Sequence, residues 1–332
     1  MRYYDINVGG GPHYTSLVNG KFDPGALNVE MDIQVQASDV PAAGSYVRVW
    51  GIGLAAISQS QSLFGKPITV RGGMSAGLPL AKPQQQGVLV TCSIWQCFAN
   101  WIGTDQTQDF VITTPFNAPT SIGPNPKTPP KNIVLNWKKG TPLSQPLQNA
   151  LRTAYPGTQV NVQISPMLVY AQDEIGYHGN LEQFGTYLRR ISQEILGPSY
   201  PGVSLNFNTA GGIDAVDGTT PVTAPVIAYE DLIGQPTWIE AFKIQFKTVM
   251  RGDIKFNSVI TLPKTLITNI QGNNSQAVNQ GLTFQGGFTV CSIRHCGNFR
   301  QPDAASWVSI FEAYANNPQG SAQFAAMAAA NQ

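Results

Sequence analysis

Cys92-Ser93-Ile94-Trp95-Gln96-Cys97 and Cys291-Ser292-Ile293-Arg294-His295-Cys296 are two copies of one CSIxxC pattern, and together they use all four cysteines of the chain. Both cysteines of the second copy follow those of the first by 199 residues, 291 against 92 and 296 against 97. An apolar run enters each copy, Gly87-Val88-Leu89-Val90 in one and Gly287-Phe288-Thr289-Val290 in the other. A Gly- and Gln-rich loop precedes each run, and an earlier strand precedes each loop. Short apolar runs bounded by turn residues read as strands, so the repeat predicts two related β domains.

Outward from the first copy, Val29-Glu30-Met31-Asp32-Ile33-Gln34-Val35 alternates apolar and polar side chains, as a strand with one buried face requires. Tyr46-Val47-Arg48-Val49-Trp50, Pro67-Ile68-Thr69-Val70-Arg71 and Asp109-Phe110-Val111-Ile112 read the same way. Around the second copy lie Trp238–Phe246, Val259–Leu262 and Trp307–Phe311. Between the two, six prolines from Pro115 to Pro130 forbid a helix or a ladder and read as an extended connection. The period then changes. Leu143–Tyr155 reads as a helix with Pro146 in its first turn. In Asn180–Leu196, Leu181, Phe184, Leu188, Ile191 and Ile195 share one face, Asn180 is the N-cap, and Gly197-Pro198 closes the end.

The fold expected is mainly β with an α+β middle: two related small β-barrel domains flanking a mixed α/β domain. Its divisions are a first barrel over 1–114, a Pro-rich connection over 115–140, and a mixed domain over 141–235 with helices near 143–155 and 180–196. A second barrel over 236–316 and an Ala/Gln-rich tail over 317–332 follow.

Composition narrows the function. In 332 residues only 12% are charged, about half the usual share of roughly 25%, while 42% are hydrophobic. A surface so poor in charge is expected to spend much of its area against other protein. The net charge of +1 supplies no electrostatic footprint for phosphate backbones, which argues against nucleic acid as a primary partner. No apolar run approaches the ~20 residues that span a bilayer, and the opening Met1-Arg2-Tyr3-Tyr4-Asp5 has no charged-then-apolar signal pattern. A chain made in a cytoplasm, without a membrane segment, is expected.

The motifs that could carry chemistry are weak. Zinc cysteines usually lie two to four residues apart on a turn, whereas these are five apart on strands and so should face opposite sides. At ~3.3 Å per residue they would be about 16 Å apart, beyond the ~7 Å reach of a disulfide. No metal, cofactor or disulfide is therefore expected. Gly73-Met74-Ser75-Ala76-Gly77 matches the nucleophile elbow G-x-S-x-G, with His178 or His295 as conceivable base and Asp214 as orienter. The elbow needs a helix behind it, and Pro79 and Pro83 forbid one. Gly9-Gly10-Gly11 lacks the Lys-Ser/Thr of a phosphate loop. Asp173-Glu174 are adjacent rather than paired across a cleft, and Arg251-Gly252-Asp253 and the sequon Asn273-Asn274-Ser275 are short enough to be incidental. His13, His178 and His295 are few for a catalytic site. Trp50, Trp95, Trp101, Trp238 and Trp307 lie in or beside strands and read as core. No catalytic, cofactor-binding or metal-binding residue is assigned.

The C-terminal third, Arg251-Gly252-Asp253-Ile254 through Val259-Ile260-Thr261-Leu262-Pro263, Gly287-Phe288-Thr289-Val290, His295, Gly297-Asn298 and the strand with Trp307, together with the order of the domains, resembles the baseplate hub (tail hub) proteins of contractile-tailed bacteriophages. These are similar to the base of type VI secretion spike proteins. The resemblance implies a non-enzymatic homotrimer whose two barrels per chain form a pseudo-sixfold ring. The ring adapts a sixfold tail tube to a threefold spike around a channel for DNA. It further implies tail tube protein, spike protein and other baseplate (wedge) proteins as partners, transient DNA passage, and a place in the virion tail after assembly in the host cytoplasm. The loops from about Gly72 to Gln86 and from about Lys264 to Gln280 are expected to be equivalent assembly surface. Two readings from other classes remain open: a serine hydrolase using Ser75, and a carbohydrate-binding β module.

Overall fold

The computed structural model describes residues 1–37, 44–75, 82–113, 131–197, 200–218, 222–223, 226–240, 243–263 and 287–316. The Pro-rich run 115–130, the loop 264–280, the sequon and the tail 317–332 lie outside them, as do Ala76 and Gly77 of the serine motif.

The first part of the chain runs β1 (Arg2–Val8), β2 (His13–Thr15), β3 (Leu17–Val18), β4 (Lys21–Phe22), β5 (Asn28–Gln36), β6 (Ser45–Trp50), the short helix α1 (Leu54–Gln59), β7 (Pro67–Met74), β8 (Gly87–Ile102) and β9 (Asp105–Thr113). The middle runs β10 (Ile133–Trp137), α2 (Ser144–Ala154), β11 (Val160–Gln163), β12 (Glu174–His178), α3 (Leu181–Leu196), β13 (Ser204–Phe207) and β14 (Ile213–Val216). The last part is β15 (Val222–Thr223), β16 (Thr237–Glu240), β17 (Lys243–Val249), β18 (Ser258–Thr261), β19 (Gly287–Asn298) and β20 (Trp307–Ala315).

The protein is mainly β. The two copies of CSIxxC sit on β8 and β19, and the strands around them share one order. Counting each set of five along the chain, β5-β6-β9-β8-β7 and β16-β17-β20-β19-β18 both read 1-2-5-4-3, with every neighbour antiparallel. Register agrees where the pattern is most alike. Ser93 pairs with Thr113 and Ile94 with Ile112, while Ser292 pairs with Glu312 and Ile293 with Phe311, each residue displaced by 199.

Two expectations are corrected. Among the described residues there is no closed barrel: the strands form open sheets, the largest of 13 strands, because β5 of the first set pairs with β19 of the second and makes the two sets one sheet. Cys92 and Cys97 also do not face opposite sides; both are buried in the same core. The cause is a bulge. Pairing of β8 with β9 skips from Ile94 to Gln96, so Trp95 is an extra residue, and past it the alternation of faces is restored with Cys97 pointing inward. On β19 the bulge lies at Cys291 instead, between Val290 and Ser292, so Ile293 and His295 face the core and Cys296 is only half-buried. A three-residue displacement of the bulge, from the place of Trp95 to that of Cys291, thus puts a histidine where the other copy has a cysteine, because side-chain direction has period two.

The cores follow the sheet. One gathers Tyr4, Ile6, Val29, Ile33, Ile68 and Phe110 of the first part with Met250, Phe299 and Trp307 of the last, so the two ends of the chain bury side chains together. Another lies under β17–β20, with Phe246 stacked on Phe311 at 5.0 Å. The middle has its own core, in which Leu181, Phe184, Leu188 and Ile191 of α3 meet Leu147 and Leu151 of α2 and the strands. Asn180 Oδ1 accepts the Gln183 N–H at 2.8 Å and caps α3.

Candidate assembly surface

Where β5 meets β19, seven residue pairs run from Ser292 opposite Gln36 to Asn298 opposite Glu30. Arg294 donates to both carboxylate oxygens of Asp32, at 2.8 and 2.5 Å, and Asn298 Nδ2 donates to Glu30 Oε1 at 2.9 Å. Arg2 reaches across to the carbonyls of Asn298 and Asp303, and Arg300 to that of Pro24. The seam between the two strand sets is therefore a backbone ladder with a polar outer face and an apolar inner one.

Beside it lies a buried ionic group. Arg251, only 1% exposed, donates to Asp253 at 2.7 and 2.6 Å and to Asp231 at 3.4 Å. Lys82 and Gln85 each donate to the other oxygen of Asp231 at 3.1 Å. Burial pushes the Asp231 carboxyl up, but the bonds from Gln85, Lys82 and the Ala228 backbone, with the Arg251 charge, outweigh it and hold the group below the ordinary carboxylate range. Gly87 and Gly252 come so close that a Cβ on Gly87 would lie 2.9 Å from the Gly252 carbonyl oxygen. The Arg-Gly-Asp run, read in the sequence as incidental, is thus an internal tie between the two strand sets. Its signal was available only as a charged pair around a glycine.

The residues considered for catalysis are not brought together. Ser75 Oγ donates to the Met1 carbonyl at 3.2 Å. His178 packs between the rings of Phe184 and Tyr187, at 4.9 and 4.8 Å, in the middle core. His295 bonds Ser309 Oγ at 2.8 Å in the interior, where burial and then the Lys255 charge lower its pKa to about 3. Asp214 accepts from Asn161 and Asn208 at 2.9 and 3.0 Å. His13 meets Asp5 at 2.9 Å on the surface, and Asp173 accepts from Lys138 at 2.9 Å. Gly9-Gly10-Gly11 forms the turn from β1 to β2, with Gly10 at φ 64°. Among the described residues no group of three or more His, Cys, Asp or Glu is placed to hold a metal, and the four thiols are free. A cleft of about 320 Å³ between β10 and α2 is lined by Asn132, Asn136, Lys138 and Asn149 among others, with no aromatic side chain of the kind that stacks on sugars. No described helix is long and apolar enough to cross a membrane.

What the surface offers is strand edge and apolar side chain. Trp307 is buried, but Trp101 is not core as expected: it is 62% exposed near the tip of the β8–β9 hairpin, beside Phe98 at 44% and Ile102 at 75%. The hairpin outruns its neighbours. β7 follows β8 only to Ser93, and Gly65 and Lys66 bond Ile94, so Gln96–Ile102 is paired with β9 on one side and with no described strand on the other. At the far end of the sheet β16 pairs, among the described residues, with β17 alone, and Ile239 on it is 41% exposed. Unpaired edges carrying large apolar groups are aggregation hazards unless a partner covers them.

No family model matches the chain, and no curated protein matches it in sequence. Solved structures do. The 43 kDa tail protein of prophage MuSo2 from Shewanella oneidensis is 9% identical, with a TM-score of 0.52 over 96% of this chain and 99% of that one. A tail protein from Neisseria meningitidis MC58 is 9% identical with a TM-score of 0.49, over 95% and 96% of the two chains. A chain of the Francisella PdpA-VgrG complex is 6% identical with a TM-score of 0.49, over 95% of this chain and 58% of that one. With a doubled strand set, open edges and a shared core, this chain has the fold of the MuSo2 phage tail protein from end to end.

Proposed function

We propose that the chain is a structural subunit of a phage tail or a related injection machine, a hub whose three copies close into a ring around a central channel. The observation that carries the reading is the doubled 1-2-5-4-3 strand set within one open sheet. A ring of three chains can match a sixfold partner only if each chain offers two equivalent surfaces, and two like strand sets supply them. The sixfold tail tube and the threefold spike are the partners this geometry suits. The divisions read from the sequence, strand-rich ends at 1–114 and 236–316 about a mixed middle at 141–235, belong to the same proposal. DNA passing through would be held only transiently, since a chain of net charge +1 neutralises few phosphates.

Light scattering coupled to size exclusion, followed by cryo-electron microscopy of the assembled particle, tests the reading. Three chains per ring with six similar strand sets facing the tube is the expected result. A monomer in the particle, or a ring of six chains, overturns it. Ser75→Ala should leave any measurable ester hydrolysis unchanged, because its hydroxyl is engaged with Met1 rather than with a base; loss of such activity would favour the hydrolase.

A further inference from the structure

The middle part of the chain carries a groove that the doubled strand sets do not involve. β10 turns Ile133, Leu135 and Trp137 into the middle core, so Asn132, Val134, Asn136 and Lys138 lie on its other side. Val134 is paired with Tyr177 of β12 and Asn136 with Ile175. Directly opposed residues share a face, so the same outer face carries Tyr177 and Ile175, 70% and 54% exposed. α2 forms the other wall. Leu147 and Leu151 hold it to the core, while Pro146, Asn149 and Thr153 line the cleft of about 320 Å³. Both walls and the flanking face lie within 132–153 and 175–177, all of them described residues.

Its chemistry is amide and apolar, without free charge. Lys138 is the one charged residue of the lining, and its ammonium is held by Asp173 at 2.9 Å. Asn132, Asn136 and Asn149 are exposed. Among the described residues the first two side chains have no partner, and Asn149 accepts only a long bond from Gln145 at 3.4 Å. A carboxamide offers N–H donors and a carbonyl acceptor, the same pair that a peptide group presents. On a strand Asn132 and Asn136 stand about 13 Å apart, which is also the separation of residues i and i+4 in an extended partner. We infer that this groove docks an extended, uncharged segment of a partner protein, its main chain bonded by the three amides and its alternate apolar side chains covered by Val134, Ile175 and Tyr177. A charged segment would find no counter-charge there, because the Lys138 charge is already spent on Asp173. A glycan would find no aromatic ring inside the cleft to stack on. The inference does not depend on how many copies form the ring.

Titration of the isotope-labelled full chain, followed by nuclear magnetic resonance, tests the groove. The probe is a capped peptide of alternating valine and serine; the comparisons are the same peptide with lysine or glutamate in place of serine, and a chitin oligosaccharide. The uncharged peptide should shift the side-chain amide resonances of Asn132, Asn136 and Asn149. Asn136→Ala and Asn149→Ala, changes at exposed positions, should together weaken it about tenfold by removing hydrogen bonds to the main chain, with the unfolding midpoint unchanged. Replacing the peptide's amides by esters, which deletes its N–H donors but keeps its side chains, should weaken it in wild type and much less in the double variant. Tyr177→Ser should weaken the valine peptide and leave its response to ester replacement intact. Absence of any shift with the uncharged peptide overturns the inference. So do equal binding of a charged peptide, a shift of the same amides by the oligosaccharide alone, and displacement of the probe by a peptide of the chain's own sequence 115–130, which would make the occupant internal. None of these results bears on the number of chains in the ring.

Discussion

His295 should make the protein acid-sensitive well above the range in which carboxylates titrate. Its ring is 2% exposed, bonded to Ser309 Oγ, and near Lys255. Burial first, and the Lys255 charge second, bring its pKa to about 3 from an ordinary 6.5. A base whose folded pKa is depressed binds its proton more readily when unfolded. Its contribution is therefore complete above pH 6.5 and is lost as pH falls from 6.5 toward 3. At about 1.4 kcal/mol per pH unit the loss is about 2 kcal/mol by pH 5 and about 4 kcal/mol by pH 3. That is a large part of the roughly 5–15 kcal/mol by which domains are stable. Chemical denaturation of wild type and His295→Gln at pH 7.5 and pH 5 measures it. The variant starts less stable, having lost a packed ring, but its stability should change with pH by about 2 kcal/mol less than that of wild type. His178, whose pKa burial also lowers, is common to both proteins and cancels in the comparison. Equal slopes in the two proteins would refute the argument, as would a His295 imidazole resonance that titrates near pH 6.

Arg251→Met removes the cation from between Asp231 and Asp253 and strands buried carboxylates; a loss of about 3–5 kcal/mol in denaturant unfolding is expected, partly recovered in Arg251→Met with Asp231→Asn. Gly87→Ala drives a Cβ against the Gly252 backbone and should cost about 1–3 kcal/mol in the same assay, whereas Gly103→Ala, with open space around it, costs only backbone strain. Burial raises the thiols of Cys92 and Cys97 to about 12, so a thiol-specific reagent at pH 8 should leave both unmodified in the native protein and label all four cysteines after unfolding. Rapid native labelling of Cys97 would contradict its place in the core.

What could be read from the chain alone was local. The doubled CSIxxC pattern, the alternation in Val29–Val35, and the face and N-cap of α3 follow from spacings of two and 3.6 residues and from a side chain bonding its own backbone. Tertiary structure decided the rest. Nothing in Ile94-Trp95-Gln96 as against Val290-Cys291-Ser292 announces which residue bulges, yet that choice determines whether Cys97 or His295 enters a core. Nor does β5 name its second partner. Its pairing with β19 joins residues more than 250 positions apart, makes the two strand sets one open sheet among the described residues, buries Arg251 beside the junction and leaves the β16 edge and the far part of the β8 edge with no described partner strand. The physical reason is that a strand's hydrogen-bonding groups are the same for every partner. Which edge meets which is settled by the shapes and burial of all the strands together, and side-chain direction beyond a bulge by the ladder that forms there.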